Sequence, residues 1–272
     1  RTRAVLRRIG VEYIDIWLHP VRFLDDILFA FNSSNKEVYD ELKKFRVSEE
    51  VFYLYGNRLK VQAYKGYNRR ELPIMSDSAL FVGQTLNDKA ICDKGKYLTV
   101  LDFKEKVLNL TKQYSCVYYS RHPYVKKGDE RILKFINDTP KCELTTYSAY
   151  DLIASGKIKE VVSISSSVAL EARYMGVKST ILFKPAIEIR DKVEDGYIAV
   201  LQSFLSPDFW ETVLRPLCNV FKSPHVEYID KKDKLRDMLA FYWSYKDVDK
   251  LEGVRQEVKQ LKKNNISSIK KQ

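Results

Sequence analysis

Cysteine is scarce in this 272-residue chain: four residues, at positions 92, 116, 142 and 218, with no CxxC pair. Histidine is scarcer still, at three. A structural zinc site draws several such ligands into close spacing, so none is expected. The wide spacing also argues against a disulfide framework and fits reduced, mostly buried thiols of a cytoplasmic protein. Long hydrophobic runs are missing as well. Apolar stretches stop well short of the roughly eighteen residues that a membrane span requires. No signal peptide is visible, although the first residue is Arg rather than Met, which makes the chain readable as a piece of a longer one. Acid is in deficit, with 36 Asp and Glu against 47 Lys and Arg, a net charge of +11. The first ten residues hold +4 of this and residues 222–272 hold +5, leaving +2 for everything between. So peripheral an excess reads as solvated helical faces rather than a nucleic-acid surface, with a peripheral membrane or assembly contact through the basic ends as the minority reading.

What is present is a 45% hydrophobic chain, enough for one large or two medium cores. From about residue 78, short β-rich runs alternate with helical patterns. SALFVGQ, SCVYYS, VVSIS and STILF read as strands, and 102–114, 129–137, 148–154 and 167–176 as helices. That is the rhythm of βαβ units on a parallel sheet. Gly176 is placed to close the last of these helices. After Pro185 the expectation is helical, at 193–204, 207–215, 232–243 and 247–263. The first 75 residues predict a strand at YIDIWL, an apolar helix over 25–31, a charged helix over 36–45 and aromatic strands near 50–55 and 60–65. The best boundary is NRRELPIMSD, giving a partial α/β domain over 1–75 and a ligand-binding domain over 76–272.

In open parallel sheets, ligands lie outside the carboxyl ends of the strands. After SALFVG come Gln84 and Asp88; after CVYYS come Arg121, His122 and Pro123; after VVSI come Ser165, Ser166 and Ser167; after STILF come Lys184 and Pro185. Hydroxyls and free amides at the start of a helix suit a phosphate, though an N-cap alone explains serine there equally well. Glu171, one turn further on, suits either ribose hydroxyls or solvent. Chance predicts about 0.09 His-Pro pairs from this composition, yet two occur, at 19–20 and 122–123. An imidazole after a strand can hydrogen-bond or protonate a leaving phosphate, and Arg121 adds positive charge. Asp88 is then the one anionic group on that edge. Such a carboxylate can take a proton from an acceptor or attack an anomeric carbon, while an Asx-turn is the plain alternative.

Gln84-xxx-Asp88, His122-Pro123 and the serine run resemble the bacterial retaining β-Kdo glycosyltransferases of capsule and lipopolysaccharide O-antigen synthesis, where Kdo is an eight-carbon acidic sugar. The His-Pro and serine motifs are similar to those of CMP-sialic-acid-dependent sialyltransferases too. The resemblance covers roughly residues 10–245. It implies an α/β chain of GT-B type, with two Rossmann-like domains, the amino-terminal one truncated. It implies transfer from CMP-β-Kdo to a saccharide acceptor, free or lipid-linked, at the inner face of the cytoplasmic membrane, with no cofactor or metal. Carried over, Asp88 is the nucleophile of a double displacement, and His122 and Ser165–Ser167 hold the CMP phosphate. Asp15 is the candidate general acid/base, with Glu12 as its rival, and Arg22 binds the sugar carboxylate. A non-catalytic basic module binding nucleic acid or a membrane surface is the alternative from another class.

Overall fold

The computed structural model describes residues 2–24, 28–67, 72–184 and 196–219, with side chains left out of account over 63–67. The expected helices at 232–243 and 247–263 lie outside the described residues. The described residues up to Tyr55 and from Lys184 onward form one compact unit, and Gly56–Phe183 form the other. In chain order the elements begin with α1 (Thr2–Arg8), β1 (Ile14–Leu18), β2 (Leu28–Ser33), α2 (Lys36–Lys43) and α3 (Glu49–Tyr67). They continue with β3 (Ser78–Val82), the small hairpin β4 (Cys92–Asp93) and β5 (Lys96–Tyr97), α4 (Lys104–Gln113), β6 (Val117–Ser120) and α5 (Glu130–Asp138). Then come β7 (Cys142–Thr145), α6 (Ala149–Ala154), β8 (Ile158–Ser163), α7 (Ser167–Tyr174), β9 (Lys178–Ile181), β10 (Ile198–Leu201) and α8 (Pro207–Leu214).

The first unit is built on a three-stranded sheet in the order β1-β2-β10, antiparallel throughout. Among the described residues, the parallel arrangement therefore belongs to the second unit alone. Phe31, Ile198 and Val200 meet Val38, Tyr39 and Leu42 of α2 and Phe209 and Val213 of α8 in one buried cluster. Asn35 caps α2 by accepting the Val38 N–H at 3.0 Å, and the Tyr39 hydroxyl donates to the Gly196 carbonyl at 2.7 Å.

Three expectations fail here, each for a physical reason. The apolar run expected as a helix over 25–31 is a strand from Leu28 on, 25–27 lying outside the described residues. As the middle strand it is buried on both faces, and periodicity cannot separate such a run from a buried helix. The aromatic stretches expected as strands at 50–55 and 60–65 are one helix, α3. Phe52, Gly56 and Leu59 are its buried positions, a spacing of four and three that only a helix places on one side. Gly56 is not a turn between strands: a Cβ there would stand 2.4 Å from the Tyr174 carbonyl oxygen, so glycine lets α3 approach the end of α7. The helix expected over 193–204, described from residue 196, is instead β10 followed by a short 3-10 turn at Ser203–Leu205.

The second unit is an α/β body on a five-stranded parallel sheet in the order β7-β6-β3-β8-β9. Ser78–Val82 of β3 is buried at every position, as a central strand covered on both faces must be. Phe81, Tyr119 and Val162 face Val107 and Leu110 of α4 and Ile132 and Ile136 of α5. The alternate residues Leu80, Tyr118 and Val161 are buried as well, on the side where α6 and α7 pack. Each expected strand and helix between 78 and 181 is present, and Gly176, at φ +74°, ends α7. The missed elements are β7, whose pattern is mostly exposed, and the two-residue strands of the hairpin. Cys116 and Cys142 are buried, but Cys92 and Cys218 are exposed, so burial accounts for only half of the thiols.

Candidate functional site

From β3 the chain steps outward to β6 and β7, then returns to β8 on the other side of β3 and continues to β9. The switch point lies between the carboxyl ends of β3 and β8, where the connecting loops diverge and leave a crevice. Beyond the last paired residues, Val82 and Ser163, the two chains part. Gly83 N–H bonds to the Ser120 carbonyl at 2.8 Å, on the β6 side, while Leu182 N–H bonds to the Ser163 carbonyl at 2.9 Å, on the β9 side. The Gln84 carboxamide crosses the gap. Its Oε1 accepts the Ser165 backbone N–H at 2.7 Å, and its Nε2 donates to the Ser165 hydroxyl at 3.1 Å.

The serine run is a turn into α7. Ser166 is the N-cap, accepting the Val168 N–H at 3.4 Å, and Ser165 is almost fully buried. Ser167 opens the helix. Among the described residues, its hydroxyl and the N–H groups of Ser166 and Ser167 have no protein partner. These are the donors an anion would use, helped by the positive end of the helix.

Asp88 follows in the loop after β3, where it accepts the Ala90 N–H at 2.9 Å and caps the short turn Lys89–Ile91. The Asx-turn reading is therefore correct as geometry; one carboxylate oxygen performs it. His122, past β6, lies within range of the Asp88 charge. Burial holds its imidazole below the ordinary value while the Asp88 charge pulls the other way. His122 Nδ1 accepts the Tyr124 N–H at 3.2 Å, which places the proton of the neutral ring on Nε2. His122 is thus set as a donor, suited to a phosphate oxygen. Arg121 does not share that work. Its fork makes two 2.7 Å bonds to the buried Asp129 carboxylate, and this pairing raises its pKa. It braces the turn that carries His122.

The remaining candidates are spread more widely. Glu171 is fully buried, not solvent-facing, and accepts the Tyr150 hydroxyl at 2.5 Å. Lys184 is exposed and belongs to the first unit, as do Glu12, Asp15 and Arg22. The Asp15 carboxylate is occupied by the Tyr197 hydroxyl at 2.5 Å, Trp17 Nε1 at 2.9 Å and Arg3 at 3.2 Å. Glu12 accepts the Asn35 side chain at 2.9 Å. Gly83 has a meaning the sequence did not disclose. A Cβ there would lie 2.6 Å from the Tyr119 hydroxyl, so the close approach is to a side chain of β6 rather than to a ligand. Tyr119 was legible only as one more strand aromatic. It lines a small open crevice with Phe81, Gln84, Thr85, Thr99 and Ile164, and burial pushes its hydroxyl up to about 12.

Among the described residues, no three or more His, Cys, Asp and Glu side chains are grouped to hold a metal ion, and no helix is long and apolar enough to cross a membrane. Fold and site together define an α/β protein whose parallel sheet presents polar side chains and open N–H groups at its topological switch point. No protein-family profile matches the chain, and no curated protein does. Among solved structures it is similar to two described as Thermosulfurimonas dismutans KpsC. One is a β-Kdo 2,7 transferase, 18% identical, covering 67% of this chain and 63% of that one with a TM-score of 0.39. The other is a β-Kdo 2,4 transferase, 12% identical, covering 65% and 63% with a TM-score of 0.37. The likeness is a distant structural one, and the chain spans less than two thirds of either structure.

Proposed function

We propose that this chain is a glycosyltransferase of GT-B type that moves Kdo from CMP-β-Kdo to a saccharide acceptor with retention of configuration, in bacterial surface-polysaccharide synthesis at the inner face of the cytoplasmic membrane. One observation carries the reading: Asp88, His122 and the Ser165–Ser167 turn, from three separate parts of the sequence, stand at the carboxyl ends of β3, β6 and β8, three adjacent strands, with His122 close enough to feel the Asp88 charge. The CMP phosphate lies on the open N–H groups of the serine turn and receives a hydrogen bond from His122 Nε2–H. The free oxygen of Asp88 attacks the anomeric carbon as the bond from that carbon to the phosphate oxygen breaks, and CMP leaves with the electron pair. The acceptor hydroxyl then displaces the Asp88 carboxylate and gives up its proton. Two inversions make net retention. That proton passes to solvent, because the oxygens of Asp15 already serve three donors and Glu12 binds Asn35.

The test is intact-mass analysis after incubation with CMP-Kdo. Wild-type protein is expected to carry one Kdo-sized adduct that is absent from Asp88→Asn, with transfer reduced by at least about 10³-fold. Transfer by Asp88→Asn at the wild-type rate overturns the covalent mechanism. Turnover of CMP-sialic acid in place of CMP-Kdo assigns the other donor. Salt-sensitive binding to nucleic acid or anionic vesicles, unchanged in Asp88→Asn and without transfer, assigns the non-catalytic reading.

A further inference from the structure

The geometry points to Gln84 as a positioning residue that ties the serine turn to the loop of Asp88, rather than as a group that touches the donor. The inference rests on the function proposed above. The opening between β3 and β8 begins where their pairing ends, at Val82 and Ser163. Past it, the backbone of each strand is bonded away from the other, Gly83 to β6 and the residues after β8 to β9. Nothing in the sheet ladder therefore fixes how far the serine turn stands from the loop of residues 84–88. The Gln84 carboxamide does so with both of its polar ends, Oε1 on the Ser165 N–H at 2.7 Å and Nε2 on the Ser165 hydroxyl at 3.1 Å.

This assignment divides the serine run. Ser165 is spent on Gln84 and the Ser166 hydroxyl on capping α7, which leaves the Ser166 and Ser167 N–H groups and the Ser167 hydroxyl for an anion. Gln84 spans the switch point with a neutral group. A lysine in its place would compete for the phosphate, and an asparagine is one methylene too short to keep both bonds. Asp88 is four residues along the same loop, so the bridge sets where the nucleophile stands relative to the phosphate. A misplacement near 1 Å between reacting groups is enough to cost about a hundredfold in rate.

The experiment compares wild-type protein, Gln84→Ala and Gln84→Glu by amide hydrogen exchange at Ser165 and by steady-state transfer from CMP-Kdo. Gln84→Ala is expected to speed exchange at Ser165 by about tenfold or more and to lower kcat by about 10- to 100-fold with KM for CMP-Kdo within about threefold of wild type. Gln84→Glu keeps an acceptor for the Ser165 N–H and is expected to keep that amide protected. A raised KM with kcat unchanged in Gln84→Ala overturns the inference, since Gln84 would then be binding donor. Unchanged exchange at Ser165 in Gln84→Ala overturns it as well. Wild-type protein that neither forms an adduct nor transfers Kdo overturns the glycosyltransferase reading instead, while exchange at Ser165 still reports the bridge by itself.

Discussion

His19 and His122 each follow a strand, each precede a proline and each accept, through Nδ1, the backbone N–H two residues on, at 3.0 and 3.2 Å. Both neutral rings therefore carry their proton on Nε2, and each has an aromatic neighbour, Phe52 stacked at 5.5 Å for His19 and Tyr124 edge-on at 5.2 Å for His122. The surroundings then part. His19 is 1% exposed, and its Nε2 has no partner among the described residues. Burial lowers its pKa to about 3, against a smaller opposite effect of the Val21 bond. His122 is half-buried, lies within range of the Asp88 charge and sits past the carboxyl end of β6. One local geometry is thus sealed in one unit and only half-buried in the other. Burial and a neighbouring charge make the difference, not the dipeptide.

The largest effect that tests this contrast is on stability in acid. The folded pKa of His19 lies below its unfolded value of 6.5, so its neutral burial stabilises the fold fully above about pH 6.5 and progressively less as pH falls toward 3. The whole span corresponds to about 4–5 kcal/mol as an upper figure. Chemical denaturation from pH 7.5 to 4 should show most of that loss in wild-type protein and a flatter dependence in His19→Gln. Equal slopes would mean that His19 is not held neutral.

Next in size is the effect of His122→Ala on transfer. Loss of about 10²-fold or more is expected, with a melting temperature close to wild type. His122→Gln, which retains an N–H donor, should recover part of the rate. A large loss of stability with little loss of rate would make the two turns alike after all. The smallest effect is electrostatic. Because the Asp88 charge raises the His122 pKa against burial, His122 in Asp88→Asn should titrate at a lower pH than in wild type, read by NMR of the ring protons. An unmoved titration would separate the two groups.

Much of the second unit was legible because its signals are local and mutually consistent. SALFV is a short, nearly continuous apolar run closed by Gly83, and VALEARYMG carries a helical face with its terminating glycine. The stretch before residue 72 was read less well. The α3 segment is rich in aromatics that favour strands in isolation, and only the buried spacing of Phe52, Gly56 and Leu59 makes it a helix. The site divides in the same way. Residues at strand ends, Gln84, Asp88, His122 and Ser165–Ser167, could be picked out from polar groups following apolar runs. Their partners could not. The Arg121 fork reads as a fixed positive charge, yet Asp129, eight residues on, occupies it, and Glu171, readable as a ribose ligand or a solvent-facing residue, is buried against the Tyr150 hydroxyl.

The sequence by itself determined the alternation of strands and helices between residues 78 and 181 and the chemistry available at the carboxyl ends of the strands, because propensity, periodicity and turn residues act within a few positions. The tertiary structure alone decided that β3 and β8 are neighbours, that Gln84 joins them, and that one histidine is sealed while its counterpart lies within range of the Asp88 charge. Strand order, burial and pairing across 81 residues depend on how whole elements pack, and no local pattern encodes that.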